Sequence, residues 1–541
     1  MTAVDVPAVQ VGAAPGTAVL ALAARQIRRG ALMVVAVAAG MSALVAATYR
    51  STVGDDLTAS SLAALATNPA IRTLFGQPAA LDDPGGFTVW RTGTVVAVLI
   101  GVWALLTATR VTRGAEQAGQ WDLLLAGRLP LGDVVARHLA ILVAAVTLVG
   151  AAVTAALVAT GTGVVGALLH GGVVMAGGVF FAGLGMLAAQ VFPTRSAASG
   201  AAMAVLGAGL LMRMVGDGVD ALSWLRWASP FGLAELVQPY GANRWPPLLV
   251  LSLAAVAVVI LAPAVARHRD LRGGLLAPES GRPPRRYLLG SVSAFAIRRL
   301  ARPLVGWSAG IGAYFLLIGS ISVSMTDFLA DNPRFAELAA QAGFAGLGTA
   351  RGYVAALFAL LAIPVGGFTA VRVAAFAADE AARRLTLLFA GPVTRRTMIG
   401  AELLAAASGV LVLAVVAGCA TWIGTSLAGA DLSLPNALAG TLNVLPVALL
   451  CLGASVLALG VAPRAVALVG SLPATGGFLL LTIADSTGAP DWVRQLSPFA
   501  HLAAVPSTAP NWPATVTMVA IAGLLTILGL GTYQRRDLRI S

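Results

Sequence analysis

Twelve times along the 541 residues, the chain passes through a run of about 20 predominantly apolar positions before Arg, Asp, Pro or Gly interrupts it. A run of that length crosses about 30 Å of hydrocarbon as an α-helix, the form that satisfies every backbone amide internally. In the first half the runs lie near Gly30–Tyr49, Thr88–Thr109, Val134–Thr160, Val164–Phe192, Ala197–Met212 and Pro247–Ala266. In the second half they lie near Pro303–Val323, Tyr353–Ala375, Gly400–Leu427, Ala437–Val461, Ala465–Ala484 and Ala514–Thr532. The predicted fold class is an all-α polytopic membrane protein with twelve transmembrane helices. Composition agrees: 58% of residues are hydrophobic and 11% charged, too few to coat a soluble surface.

The net charge of +12 is an arginine excess, because the sequence contains no lysine. With both termini placed in the cytoplasm, about 26 arginines fall inside and about 9 outside, as the positive-inside rule requires. A multi-pass plasma-membrane protein with both termini in the cytoplasm is predicted. The most basic stretch, from Arg267 to Arg302, has only Tyr287 and Phe295 among its arginines and carries the Pro-Gly punctuation of a linker, so it suits anionic lipid and not nucleic acid. The four histidines have no ligand spacing and Cys419 and Cys451 sit in apolar runs, so neither a metal site nor a disulfide framework is expected.

Residues 1–16 read as a flexible tail, 17–272 as a first six-span half, 273–287 as a cytoplasmic linker and 288–541 as a second six-span half. Each half opens on an amphipathic stretch. In the first, Leu20, Ala24 and Ile27 share one face and Arg25, Arg28 and Arg29 another; in the second, Phe295 is opposed by Arg298, Arg299 and Arg302. Both are expected to be helices lying in the membrane interface, although arginines that merely stop a span would look the same.

The halves echo one another. "EQAGQWDLLLAG" at Glu116–Gly127 returns 264 positions later as "EAARRLTLLFAG" at Glu380–Gly391. At nearly the same offset Asn68-Pro69 answers to Asn332-Pro333, Pro193 to Pro463, Ser229-Pro230-Phe231 to Ser497-Pro498-Phe499, Trp245-Pro246 to Trp512-Pro513, and Arg269-Asp270-Leu271 to Arg536-Asp537-Leu538. With six spans each, the two copies are predicted to be parallel six-helix repeats.

What could power such a chain is constrained. The ionisable groups His170, Arg213, Glu402 and Asp485 lie toward span ends, where charge is tolerated, leaving no group at a span centre to harness a gradient. A P-loop, G-x-x-x-x-G-K-S/T, needs a lysine that this sequence does not have. A separate ATPase remains, and the repeated phrase, in the cytoplasmic segment between the second and third spans, is the place for it to act. Glu116, Gln120 and Leu123 can share a helical face, and Glu380 and Arg384 can pair at i, i+4. An apolar knob with a charged rim suits docking, against the alternative of a solvated segment duplicated by descent.

These features resemble the permeases of ABC-2-type exporters. The carriers of the likeness are the leading amphipathic helices, the six-span halves, "NPAIRTLFG" in the first external loop, the E-x-x-G-x-x-D-L-L-L-A-G segment and the Ser-Pro-Phe stretch. Within that group the chain is similar to the duplicated actinobacterial permeases associated with tetronasin and other polyketide antibiotics. The resemblance implies a type V exporter in which two ATP-binding-cassette subunits, commonly identical, carry ATP and Mg and dock on the two segments, leaving this chain without catalytic residues or cofactor. It implies ATPase-coupling roles for Glu116, Gly119, Asp122, Leu123 and Leu124, and for Glu380, Arg383, Arg384, Leu387 and Leu388. Arg383 stands where the first copy has Gly119, and Thr386 where it has Asp122, so the two docking sites are expected to be unequal. The second and fifth spans of each half are implied to line a cavity for hydrophobic or amphipathic cargo.

Two other readings stay open. An ion-coupled drug carrier would need a functional membrane carboxylate. A membrane glycosyltransferase would find candidate metal ligands in Asp55-Asp56 and Asp82-Asp83, which the second half does not repeat.

Overall fold

The computed structural model describes residues 15–53, 72–73, 75–127, 129–271, 273–276, 287–331, 333, 349–487 and 489–536. Twelve helices among them are long and apolar enough to cross a membrane. The chain divides into two compact units, Met1–Arg282 and Pro283–Ser541.

In the first unit the helices are α1 (Pro15–Val53), α2 (Pro84–Thr109), the short α3 (Gln120–Leu125), α4 (Leu131–Ala159), α5 (Val164–Val191), α6 (Arg195–Gly218), the short α7 (Pro230–Leu236) and α8 (Trp245–Ala266). The second unit has α9 (Val292–Ser320), α10 (Ser322–Asp331), α11 (Ala350–Ala381), the one-turn α12 (Thr386–Phe389), α13 (Arg395–Ala428), α14 (Leu434–Leu442), α15 (Leu445–Val461), α16 (Val466–Ser471), α17 (Gly477–Thr487), α18 (Asp491–Gln495) and α19 (Trp512–Arg535). The tenth run is thus broken between α14 and α15, and the eleventh carries a π turn over Leu472–Gly476 around Pro473. Proline removes a backbone donor from the helix ladder, and a run of apolar residues gives no warning of such breaks beyond the proline itself.

Within each unit the same spans pair. The first packs on the third (α1 on α4, α9 on α13), the fourth on the sixth (α5 on α8, α15 on α19), and the second on the fourth (α2 on α5, α11 on α15). The fourth span is the most buried in both, with 61% of its most apolar window covered in the first unit and 78% in the second, against 17% for each sixth span. Small residues permit that packing: a Cβ on Gly424 of α13 would stand 2.2 Å from the Leu316 carbonyl oxygen of α9, and one on Gly319 would stand 2.5 Å from the Thr421 carbonyl oxygen. The sixth spans turn Leu253, Ile260 and Ile527 outward, as helices solvated by lipid do.

The two leading segments differ from expectation. Neither is a separate helix: Arg25, Arg28 and Arg29 belong to α1, and Arg298, Arg299 and Arg302 to α9, each one unbroken helix with its first span. At 39 residues α1 is about 58 Å long, nearly twice a bilayer core. Its buried stripe is Val19, Ala23 and Ile27 and not Leu20, Ala24 and Ile27; Val19 and Ile27 pack into a cluster with Trp121 and Val134. The helical period selects every fourth residue, and the stripe begins one position earlier because α4 lies on that side. Of the predicted tail, Pro15 and Gly16 are already helical and residues 1–14 lie outside the described residues.

Other echoes also have structural meaning. Ser229 donates to the Gly209 carbonyl at 2.6 Å and accepts from the Phe231 and Gly232 amides. Ser497 donates to the Gly477 carbonyl at 2.8 Å and accepts from the Phe499 amide. Each Ser-Pro-Phe therefore caps a short helix and ties it to the preceding span, with proline at the first helical position. Asp83 likewise caps α2 through the Gly85 and Gly86 amides, a structural duty for one of the acids weighed as a metal ligand. Asp55-Asp56, Asn68-Pro69 and Asn332 lie outside the described residues, as do Asp537-Leu538 and the side chain of Asp485.

Candidate functional site

The repeated phrase lies where the second span ends. α2 passes through a π turn at Arg110–Gly114 and a last helical turn at Ala115–Gln117, which carries Glu116 inward. Its side chain is 1% exposed. Arg269 grips it with two parallel hydrogen bonds, Nη1 to Oε1 and Nη2 to Oε2, both 2.8 Å. Arg113 adds an ion pair at 3.1 Å to Oε2. Arg269 has further partners, its Nε donating to Gln190 Oε1 at 2.9 Å and its Nη1 to the Gly273 carbonyl at 3.0 Å, while Arg113 Nε donates to the Ala189 carbonyl at 2.8 Å. One carboxylate thereby ties the end of the second span, the end of the fourth and the segment after the sixth.

The second unit makes the corresponding closure. Glu380, in the last turn of α11, is held by Arg536 through Oε2 and by the Tyr533 hydroxyl, which donates to Oε1 at 3.1 Å. Arg536 also donates to the Leu459 carbonyl at 2.6 Å, at the end of the fourth span. Two echoes that sequence treats as independent, the Glu phrase and Arg-Asp-Leu, are thus the two halves of one ion pair.

Next comes a turn. Gly119 takes a left-handed conformation, φ 73°, and its amide donates to the Glu116 carbonyl at 3.0 Å. Arg383, at the matching position, takes φ 58° with the same bond to the Glu380 carbonyl at 3.0 Å. The replacement of glycine by arginine therefore leaves the backbone turn intact, at a strain of about 1–2 kcal/mol for a residue with a Cβ. The turn also separates residues expected to act together. Glu116 faces inward while Gln120 and Leu123 face out, so the three share no face. Arg384 bonds Asp379 at 3.0 Å and not Glu380, because the left-handed residue breaks the i, i+4 register.

Beyond the turn, α3 is pinned by Trp121, 1% exposed, beside the His138 ring at 5.7 Å. Leu124 packs on the same cluster, Asp122 sits half-buried in the first turn, and Leu123 projects outward at 83% exposure. In the second unit Leu385 takes the place of Trp121 and is 4% exposed, with Leu388 against its cluster. The side chain of Leu387, which matches Leu123, lies outside the described residues. Arg383 is exposed.

The second unit adds a network that residue spacing alone does not announce. Arg299 Nη1 lies 2.7 Å from Glu402 Oε1, its Nη2 bonds Asp379, and Arg372 donates to Glu402 Oε2 at 2.8 Å. Arg299 is therefore turned into the unit, whereas Arg25, Arg28, Arg29, Arg298 and Arg302 remain exposed. The available signal for Glu402 and Arg372 was their presence in apolar helices, where charge persists only when partnered. For Arg269 and Arg536 it was the shared offset of their echoes. No grouping of His, Cys, Asp and Glu able to hold a metal occurs among the described residues.

The family described as the C-terminal domain of multidrug efflux system permease Rv1217c matches residues 289–534, within the second unit. Over 492 residues, 89% of this chain and 87% of the relative, the sequence is 28% identical to the multidrug efflux system permease protein Rv1217c of Mycobacterium tuberculosis. In sequence the chain is similar to an efflux permease.

Proposed function

We propose that this chain is the permease subunit of an ATP-binding-cassette exporter of the ABC-2 type, extruding hydrophobic or amphipathic compounds with work supplied by a separate ATPase. The observation that carries this reading is the paired segment: an exposed leucine, Leu123, on a short helix whose inner side is fixed to three span ends through Trp121 and the Glu116–Arg269 pair. A partner gripping the outer side would move the span ends together. In this reading Glu116 and Glu380 transmit force and Leu123 with its rim receives it, so the glutamates are positioning groups and not docking contacts. One ATPase, with its ATP and Mg, would engage each segment from the cytoplasm.

The similarity to an efflux permease supports the cargo class and the role of transport subunit. The sequence, lacking lysine, offers no P-loop of its own. Asp217 and Glu402 face guanidinium groups at 3.4 and 2.8 Å, which favours structural duty over gradient coupling. The test is co-expression with a P-loop ATPase encoded beside the gene, followed by drug-stimulated hydrolysis in proteoliposomes. Leu123→Arg is expected to lower stimulation at least tenfold without changing the permease's own stability. Unchanged stimulation would remove the docking assignment.

A further inference from the structure

At the end of the first unit that carries Glu116, three spans expose arginines that no carboxylate answers. Arg28 and Arg29 of α1, Arg110 just past α2 and Arg195 at the start of α6 are all exposed. None of the four is ion-paired among the described residues, and nearby Glu116 and Asp133 are already held by Arg113, Arg269 and Arg137. Comparison with the second unit gives the reason. There Arg299 is neutralised by Asp379 and Glu402, and at the 264-residue offset those acids are replaced by Ala115 and His138. His138 brings no negative charge, and its Nδ1 donates to the Val134 carbonyl at 2.9 Å.

The arginines converge. Arg110 Nη2 donates to the Gln26 carbonyl at 3.2 Å, which sets its guanidinium beside the α1 turn bearing Arg29, because a helix carbonyl points toward the residue four positions on. The Arg195 amide donates to Gln117 Oε1 at 3.3 Å, and its Cδ lies 3.0 Å from where a Cβ on Gly114 would stand. The side chain thus crosses the backbone just past Arg110, and Arg110 is the charge that Arg195 feels. Each arginine also heads an apolar stripe open to the outside of the unit. Leu32 and Met33 lie one turn along α1 from Arg28 and Arg29, with Val37 a turn further; Leu106 precedes Arg110 by one turn and Met203 follows Arg195 by two.

We propose that Arg110 and Arg195, with Arg28 and Arg29 beside them, bind the phosphate of an anionic phospholipid whose acyl chains lie along those stripes. Guanidiniums bond phosphate oxygens in parallel pairs, and a bound headgroup supplies the negative charge that Asp379 and Glu402 supply in the second unit. The lipid thereby fastens the leading helix to the second and fifth spans. Cations standing directly over lipid-facing side chains match a phosphate joined to hydrocarbon, whereas a free phosphate or an acidic protein surface would leave Leu32 and Met33 without a partner. This site requires no ATPase, and its failure would leave the proposed function standing.

The test is native mass spectrometry of the full chain in detergent, titrated with phosphatidylglycerol, with phosphatidylcholine and with inorganic phosphate. The first phosphatidylglycerol is expected to bind about tenfold more tightly than phosphatidylcholine. The double variant Arg110→Gln, Arg195→Gln should bring the two lipids within about twofold of each other, and Arg302→Gln, on the exposed face of α9, should leave the preference unchanged within about twofold. Arg29→Gln, exposed and unpaired, should lower the preference about threefold and decides the matter if the double variant fails to fold. Equal binding of the two lipids by the wild-type chain would overturn the proposal. So would a preference that survives both the double variant and Arg29→Gln, or displacement of phosphatidylglycerol by an equal concentration of inorganic phosphate. A double variant that keeps its lipid preference but no longer binds the ATPase would assign the patch to the partner protein instead and equally overturn it.

Discussion

The two units solve one mechanical problem with charge placed differently. In the first, the leading helix is held by apolar contacts of Val19 and Ile27 while its arginines stay exposed, and the repeated phrase is closed by a sealed corner of Glu116, Arg113 and Arg269. In the second, the corner is lighter, with Glu380 shared between Arg536 and a tyrosine hydroxyl, and charge is spent instead on the leading helix through Arg299, Asp379 and Glu402. The difference teaches that the glutamate–arginine closure is the common requirement. How the first span is fastened can vary.

The sharpest way to break that comparison is to remove the guanidinium from each corner. Arg269→Ala leaves Glu116 buried and is expected to cost about 3–5 kcal/mol in unfolding measured in detergent. Arg536→Ala should cost less, about 1–3 kcal/mol, because the arginine is 24% exposed and Tyr533 still donates to Glu380. Equal losses would show the corners to be equivalent after all. Next in size, Arg299→Ala should destabilise by about 1–3 kcal/mol, whereas Arg29→Ala, on the exposed face of α1, should leave unfolding unchanged. A loss at Arg29 matching that at Arg299 would put the two leading helices on the same footing. Ser229→Ala and Ser497→Ala, which remove corresponding caps, should cost about 1–2 kcal/mol each, with Ser229 at the upper end because it accepts from two amides and Ser497 from one. The smallest effect sharpens the comparison at the turn: Arg383→Gly should stabilise by about 1 kcal/mol and Gly119→Ala destabilise by a similar amount. An Arg383→Gly chain less stable than wild type would mean that the arginine side chain contributes more than its backbone strain costs.

Much of this was legible in the residues. Twelve spans followed from the length of apolar runs, because the bilayer imposes one element length and one backbone solution. The span ends were less readable: α1 and α9 continue through their arginines since a helix ladder has no reason to stop at the membrane surface, and the break at Asn443–Val444 falls inside an apolar run. The repeat that marks Glu116 is legible in the sequence, and its inward orientation is not. Sequence places a charged residue on a helix face, yet only the left-handed turn at Gly119 and the guanidinium arriving from Arg269 decide that this face points inward.

The central claim is that work enters through a second protein. The direct measurement is uphill movement of a hydrophobic dye in proteoliposomes containing this chain with or without its ATPase, under imposed proton or sodium gradients and then with ATP alone. The account predicts transport only when ATPase and ATP are both present, and none from gradients. Concentrative transport by this chain alone would contradict it.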